Sequence, residues 1–164
     1  MQKSVVLNGT MRHNITMGKP DATEAELESA AETAQLLNYI KSLPDGFEHM
    51  LEQNGTNISG GQKQRVAIAR AVIKDAPVYV FDDSFSALDF LIESKLRRSL
   101  NERLKGKTQI IITQRVATAM SADVIYVFDK GKIVGNGNHR ELMQSCPVYK
   151  EIYDSQIGGD LNEK

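Results

Sequence analysis

The chain falls into two blocks around a glycine pair at Gly60 and Gly61: apolar residues recur at helical spacing ahead of it and in the helix it opens, and the spacing shortens beyond that helix. Ahead of the pair, over residues 21–42, Leu27, Ala31, Leu36, Leu37 and Ile40 form an imperfect stripe at helical spacing. Asp21 with Glu24, and Thr23 with Glu26, supply candidate capping boxes. Pro44, Asp45 and Gly46 end the stretch. After the glycine pair a second helix is expected, with Val66, Ala69 and Ile73 facing a core and Arg65 and Lys74 lying off that stripe in water.

Strands and helices then alternate. Residues 78–81 are a compact apolar run ending at Asp82 and Asp83, the pattern of a buried parallel strand that delivers polar groups at its carboxyl end. A helix is expected over 91–104, a strand over 109–112, a short helix over 117–120 and a strand over 124–128. Asp129, Lys130 and Gly131 make a tight turn into a returning strand over 132–134, short helices follow from Glu141, and 158–164 read as a frayed end. The fold class is α/β with a helical insertion before Ser59.

Length and charge narrow the picture. The 164 residues fall within the range of one domain, and 20 Lys+Arg against 21 Asp+Glu give a formal charge of -1. No overall field recruits nucleic acid or an anionic membrane. Cys146 is the only cysteine, so no internal disulfide can form. No apolar run approaches the roughly 20 residues of a spanning helix, and the first ten residues lack a secretion signal. Any association with a membrane must come through partners or through further chain.

The candidate chemistry lies at two places. Ser59, Gly60, Gly61 and Gln62 open a helix whose start carries no bulky side chains, so backbone N–H groups and the positive helix end can approach a phosphate. The same SGG string also serves as a flexible turn. Asp82 and Asp83 at a strand end can hold one acid toward magnesium and the next toward an attacking water. Adjacent acids can equally do no more than solvate a strand end, so residue types alone leave both readings open.

The order of these strings resembles the carboxyl-terminal part of an ATP-binding cassette (ABC) domain of bacterial exporters. Ile58 to Gln62, ISGGQ, is similar to the family signature; residues 78–82 resemble the Walker B strand; Ser86 to Asp89 resemble the D-loop. The resemblance puts Gln2 at the Q-loop glutamine, and puts Gln53 in the exporter loop that touches the membrane domains, where a glutamate is usual. It implies ATP and Mg2+ as ligands, with Asp82 and Gln2 on the metal side. Asp83 and Gln114 take the catalytic positions, and Ser59, Gly60, Gly61, Gln62 and Gln2 lie around the nucleotide. Ser86, Asp89 and Gln53 lie at interfaces. The implied partners are a second nucleotide-binding domain and the transmembrane domains of an exporter at the cytoplasmic face of the membrane, with no nucleic acid; the isolated chain is expected to be soluble.

Three departures shape the expectation. No GxxxxGK[ST] loop precedes the signature, and the GKT at Gly106, Lys107 and Thr108 has Asn101 where that motif needs a glycine, so it reads as a surface turn. The expected fold is therefore a partial RecA-like P-loop NTPase core with an inserted helical subdomain, lacking its N-terminal lobe and Walker A. In that division 1–164 is a truncated nucleotide-binding domain, with 15–75 the helical subdomain and 76–164 the C-terminal part of the core.

The catalytic glutamate of the family falls on Asp83, one methylene shorter, which withdraws its carboxylate by ~1.5 Å, a misplacement of the order that costs ~100-fold in rate. The switch histidine falls on Gln114, which hydrogen-bonds but has no titratable nitrogen. His13, His49 and His139 lie elsewhere as surface or loop residues. Together these substitutions resemble the degenerate-site subunit of a heterodimeric exporter, whose intact signature serves the site of its partner while the isolated piece is inactive. Two other classes compete: a non-catalytic interaction module, and a soluble ABC ATPase of nucleic-acid metabolism, which the absence of a basic stripe disfavours.

Overall fold

A computed structural model describes residues 5–157, so the expectations at Gln2 and over 158–164 lie outside the described residues. The chain forms two compact units, one through Ile110 and one from Ile111 onward.

In the first unit β1 (Gly9–Thr10) pairs antiparallel with β2 (Met50–Leu51). Thr10 caps α1 (Met11–Thr16) by accepting from the His13 N–H. The helical stretch expected over 21–42 is two helices, α2 (Glu24–Thr33) and α3 (Leu37–Ser42). Thr23 and Glu26 make the full capping box at the start of α2. The break is at Gln35, with φ 55, where Leu36 N–H donates to Ala31 O at 2.8 Å and Gln35 N–H to Glu32 O at 2.9 Å. This is a Schellman ending with glutamine at the left-handed position usually held by glycine, so no sequence signal announces it.

The helix after the glycine pair, α4 (Gly60–Ile73), buries Val66, Ile68, Ala69, Val72 and Ile73 against α1 and α2. Arg65 departs from the expectation of a solvated side chain. It is half-buried, and its Nη1 donates to Gln35 O at 2.5 Å, satisfying the carbonyl of the residue that breaks the preceding helix. Lys74 is exposed as expected. Gly18 lets α1 approach α4 closely, because a Cβ there would stand 2.1 Å from Arg70 O.

β3 (Val78–Asp82) buries Tyr79 and Phe81, whose rings stack with centroids 6.2 Å apart, and Phe81 continues onto Phe85 at 5.6 Å. Val78 and Val80 are 48% and 60% exposed. The expected buried strand is thus buried at Tyr79 and Phe81, and among the described residues nothing covers the face that carries Val78 and Val80. An unbroken apolar run cannot report which of its faces has a neighbour. Next comes α5 (Phe90–Arg103), a turn through Gly106, and β4 (Thr108–Ile112), which starts beside β3 with Thr108 N–H donating to Pro77 O at 3.1 Å. The GKT string is the surface turn expected; Lys107 Nζ pairs with Asp75 at 3.5 Å.

The second unit contains α6 (Val116–Ala119), β5 (Ile125–Asp129), β6 (Lys132–Gly137), α7 (His139–Ser145) and α8 (Pro147–Gln156). β5 and β6 form the expected hairpin, longer than 132–134, closed by Lys130 at φ 48 and Gly131 at φ 75 and carrying an irregularity between Val127 and Phe128. Its core is Val116, Ile125, Val127, Leu142, Cys146 and Tyr149. Cys146 is 4% exposed and lies over Gly135, where an added Cβ would be 2.8 Å from its sulfur.

Candidate nucleotide site

Ser59 has extended backbone, φ -68 and ψ 161, and stands as the N-cap of α4. Its Oγ accepts from Gln62 N–H at 3.2 Å, and Gln62 Oε1 accepts from Ser59 N–H at 2.7 Å. This reciprocal box holds the helix mouth open without help from other elements. Ser59 and Gly60 are exposed, and the Gly60 and Gly61 amides precede the first position at which an intrahelical acceptor exists.

The two glycines answer to different constraints. A Cβ at Gly61 would lie 3.1 Å from Ala87 O, so this glycine serves packing within the chain; a Cβ at Gly60 would meet only Ala87 Cβ at an ordinary 3.7 Å. Packing therefore explains Gly61, whereas Gly60 is exposed and unconstrained by it.

Gln64 joins this helix to the segment after β3, a role not legible in the sequence. Its Nε2 donates to Ser86 Oγ at 3.2 Å and to Asp83 O at 3.4 Å, and its Oε1 accepts from Ala87 N–H at 3.1 Å. Ser86 Oγ also donates to Asp83 O at 3.0 Å. Asp89 then caps α5, its Oδ1 accepting from Ile92 N–H at 2.9 Å. Burial pushes the Arg65 guanidinium below its ordinary value, and the charge of Asp89 acts in the opposite sense. The signature-like turn and the D-loop-like turn thus form one connected surface, which brings Ser59, Gly60, Gly61 and Gln62 together with Ser86 and Asp89.

The acids sit where β3 ends. Asp82 is exposed, and Asp83 is half-buried with φ 47, in the left-handed region. Such backbone is costly for most residues and least so for Gly, Asn and Asp. A cavity of about 200 Å³ opens between α4 and β3, lined by Gln64, Ala67, Ile68, Ala71, Val80, Phe81 and Ser84. It offers no charged side chain to a phosphate. Gln53 is exposed on a 3-10 turn, Gln53–Gly55, that is braced by Asn54 N–H donating to Val6 O at 3.0 Å and by Asn57 bridging Glu52 N–H and Met50 O. Gln114 is exposed in the second unit, between β4 and α6. Among the described residues no helix is long and apolar enough to cross a membrane.

The chain thus carries an exposed serine-glycine helix start at α4 and a strand, β3, that ends in Asp82, in the order that the cassette resemblance requires. The ABC transporter family model matches residues 1–86, and the chain belongs to that family. It is 42% identical over 95% of its length to an uncharacterized ABC transporter ATP-binding protein, YknU, of Bacillus subtilis, and spans 27% of that protein. It is 39% identical over 96% of its length to an ATP-dependent lipid A-core flippase of Alkalilimnicola ehrlichii, again spanning 27% of it. The solved structure of a bacterial Atm1-family ABC exporter with ATP bound superposes on 95% of this chain with a TM-score of 0.91 at 35% identity, and the chain covers 27% of that exporter chain.

These matches correct two expectations. The description of the fold as a partial core lacking its N-terminal lobe and Walker A is overturned by agreement along nearly the whole chain: its fold is the RecA-like core of an ABC ATPase with a helical subdomain. One missing string does not measure how the residues present fold. The narrower likenesses, to a carboxyl-terminal piece and to the degenerate-site subunit of a heterodimeric exporter, are withdrawn with it, since the matches are to exporter nucleotide-binding domains in general.

Proposed function

We propose that this chain is the ATP-binding and ATP-hydrolysing module of a membrane exporter, acting at the cytoplasmic face against transmembrane domains and a second nucleotide-binding domain. The observation that carries the reading is the helix mouth: Ser59 and Gly60 are exposed, and the capping box is satisfied within the turn itself. A helix start arranged in this way presents N–H groups and a hydroxyl to an anion that does not belong to this chain. The ATP-bound state of the similar exporter structure supports a nucleotide as that anion.

In this reading hydrolysis is an in-line attack of water on the γ-phosphate, forming one P–O bond as the bond to the ADP oxygen breaks. Asp82, a hard oxygen donor at a strand end, suits magnesium, which is commonly held by one or two carboxylates together with phosphates and water. A magnesium ion held there would supply neutralisation of phosphate charge. Asp83 accepts a hydrogen bond from the attacking water, and the Gln114 amide donates to a γ-phosphate oxygen. Ser59 and the Gly60 and Gly61 amides donate to the γ-phosphate of a nucleotide held by the second domain. Gln62 closes the cap, Ser86 and Asp89 lie along the seam between domains, and Gln53 faces the transmembrane partner. The Q-loop role falls to Gln2.

Ser59→Asp tests the reading. Aspartate caps a helix as well as serine, so thermal stability should hold, while a carboxylate facing the γ-phosphate should lower ATPase activity of the assembled transporter by about 100-fold or more. Undiminished turnover in a folded S59D transporter would remove the helix mouth from the site.

A further inference from the structure

The segment that carries Gln114 is held by a residue far along the chain. Gln156, the last residue of α8, donates from Nε2 to Gln114 O at 2.8 Å and accepts at Oε1 from Val116 N–H at 2.9 Å. The two backbone partners fix the orientation of the amide, since a carbonyl can meet only its NH2 end and an N–H only its oxygen. Val116 is the first residue of α6, and Arg115 before it makes no side-chain cap. A helix of four residues cannot hold its own first turn, and its leading N–H needs an acceptor from outside. Gln156 supplies that acceptor from 40 positions away.

The anchor itself is fixed. α8 is seated by Tyr149, 3% exposed in the core of this unit, whose hydroxyl meets His139 Nδ1 at 2.9 Å. Locally, Thr113 Oγ1 accepts from Arg115 N–H at 3.0 Å, which shapes the turn but does not tie it to the rest of the unit. The paired bonds from Gln156 do, one on each side of Arg115.

We infer that Gln156 is a positioning residue for Gln114, setting through its carboxamide the backbone from which the Gln114 side chain reaches the γ-phosphate. This rests on the proposed role of Gln114 as the γ-phosphate sensor. A glutamate at 156 keeps the acceptor for Val116 N–H but sets a carboxylate oxygen against Gln114 O. An alanine removes both bonds.

Two measurements test it. In this chain, Gln156→Ala should accelerate amide exchange at Val116 by about 10-fold with little change at the buried strand β5, because a single cap bond is lost rather than the unit. Unchanged exchange at Val116 would overturn the inference. In the assembled transporter, Gln156→Ala should lower kcat by about 5- to 10-fold and leave KM for ATP within about twofold, with Gln156→Glu as low or lower at neutral pH. The decisive comparison repeats Gln156→Ala in a Gln114→Ala background, where it should change kcat by less than about twofold. An equal fold-loss in both backgrounds would show a merely structural role and overturn the positioning assignment. Wild-type turnover in Gln114→Ala alone would instead overturn the sensor role on which it rests.

Discussion

Arg70 donates from Nε to the backbone oxygen of Asn14 at 2.7 Å and from Nη2 to Asn14 Oδ1 at 3.0 Å, so one guanidinium reads both the main chain and the side chain of a single, fully buried asparagine. Its Nη1 reaches Val5 O at 2.9 Å, and Asn14 in turn accepts from Leu7 N–H and donates to Leu7 O and Thr10 O. Burial lowers the guanidinium below its ordinary value without discharging it. The fork joins α4 to α1 at Asn14 and to the segment ahead of α1 at Val5. Arg70→Lys keeps the charge and loses the planar fork, and should destabilise the chain by about 2 kcal/mol in denaturant unfolding. Asn14→Ala should cost about as much, and the double variant should cost less than the sum, because both remove the same bonds.

Gly18 makes a related prediction. An alanine there would put its Cβ 2.1 Å from Arg70 O and 3.0 Å from Ile73 Cγ2, and neither the helix backbone nor the buried side chain can withdraw cheaply. Gly18→Ala should cost about 2–3 kcal/mol, read as a fall in the melting temperature, whereas Gly106→Ala, at an open turn with φ +79, should show only the smaller backbone strain of its left-handed conformation.

Acid should loosen the start of α2. The hydrogen bond from Lys19, followed by those from the Thr23 N–H and hydroxyl, holds the Glu26 carboxyl down to about 2 from an ordinary 4.5. Arg12 likewise holds Glu24 below its ordinary value, chiefly through a side-chain hydrogen bond. A carboxylate whose folded value is depressed contributes stability that is fully present above its unfolded value and is lost as pH falls through the folded value. Unfolding free energy should therefore decline from about pH 4.5 toward pH 2. Glu26→Gln preserves the capping box yet removes the titration, and its acid limb should be flatter than that of the parent.

Asp83→Glu tests the reach of the proposed water-positioning acid. The longer arm advances the carboxylate by ~1.5 Å, and ATPase activity of the assembled transporter should rise by about 10-fold or more. Against this, the backbone at 83 is left-handed, φ 47, which glutamate tolerates less well than aspartate, so a cost of about 1 kcal/mol in stability is expected alongside. Unchanged turnover would detach Asp83 from the water.

Helix and strand order was legible because periodicity reports it directly: the helix after Ser59, the strand ending at Asp82 and the hairpin at Gly131 all stand near their expected places. What escaped depended on contacts between distant positions. Gln35 breaks a helix without glycine, and the turn makes sense once the Arg65 guanidinium over its carbonyl and the Ser99 hydroxyl at its side chain are seen. Gln64 and Gln156 look like ordinary polar helix residues until the backbone groups they meet, 19 and 42 positions away, are seen. Motif spacing marked the candidate site residues, but the difference between Gly60 and Gly61 required knowing that Ala87 O faces only the second.

The close seat of Cys146 over Gly135 has a practical corollary. A thiol this enclosed is hidden from maleimide and methanethiosulfonate reagents in the native state, so these 164 residues already behave as cysteine-free at their surface. A cysteine introduced at exposed Gln53 can therefore carry a fluorophore or spin label at a single point of this chain without first engineering Cys146 away.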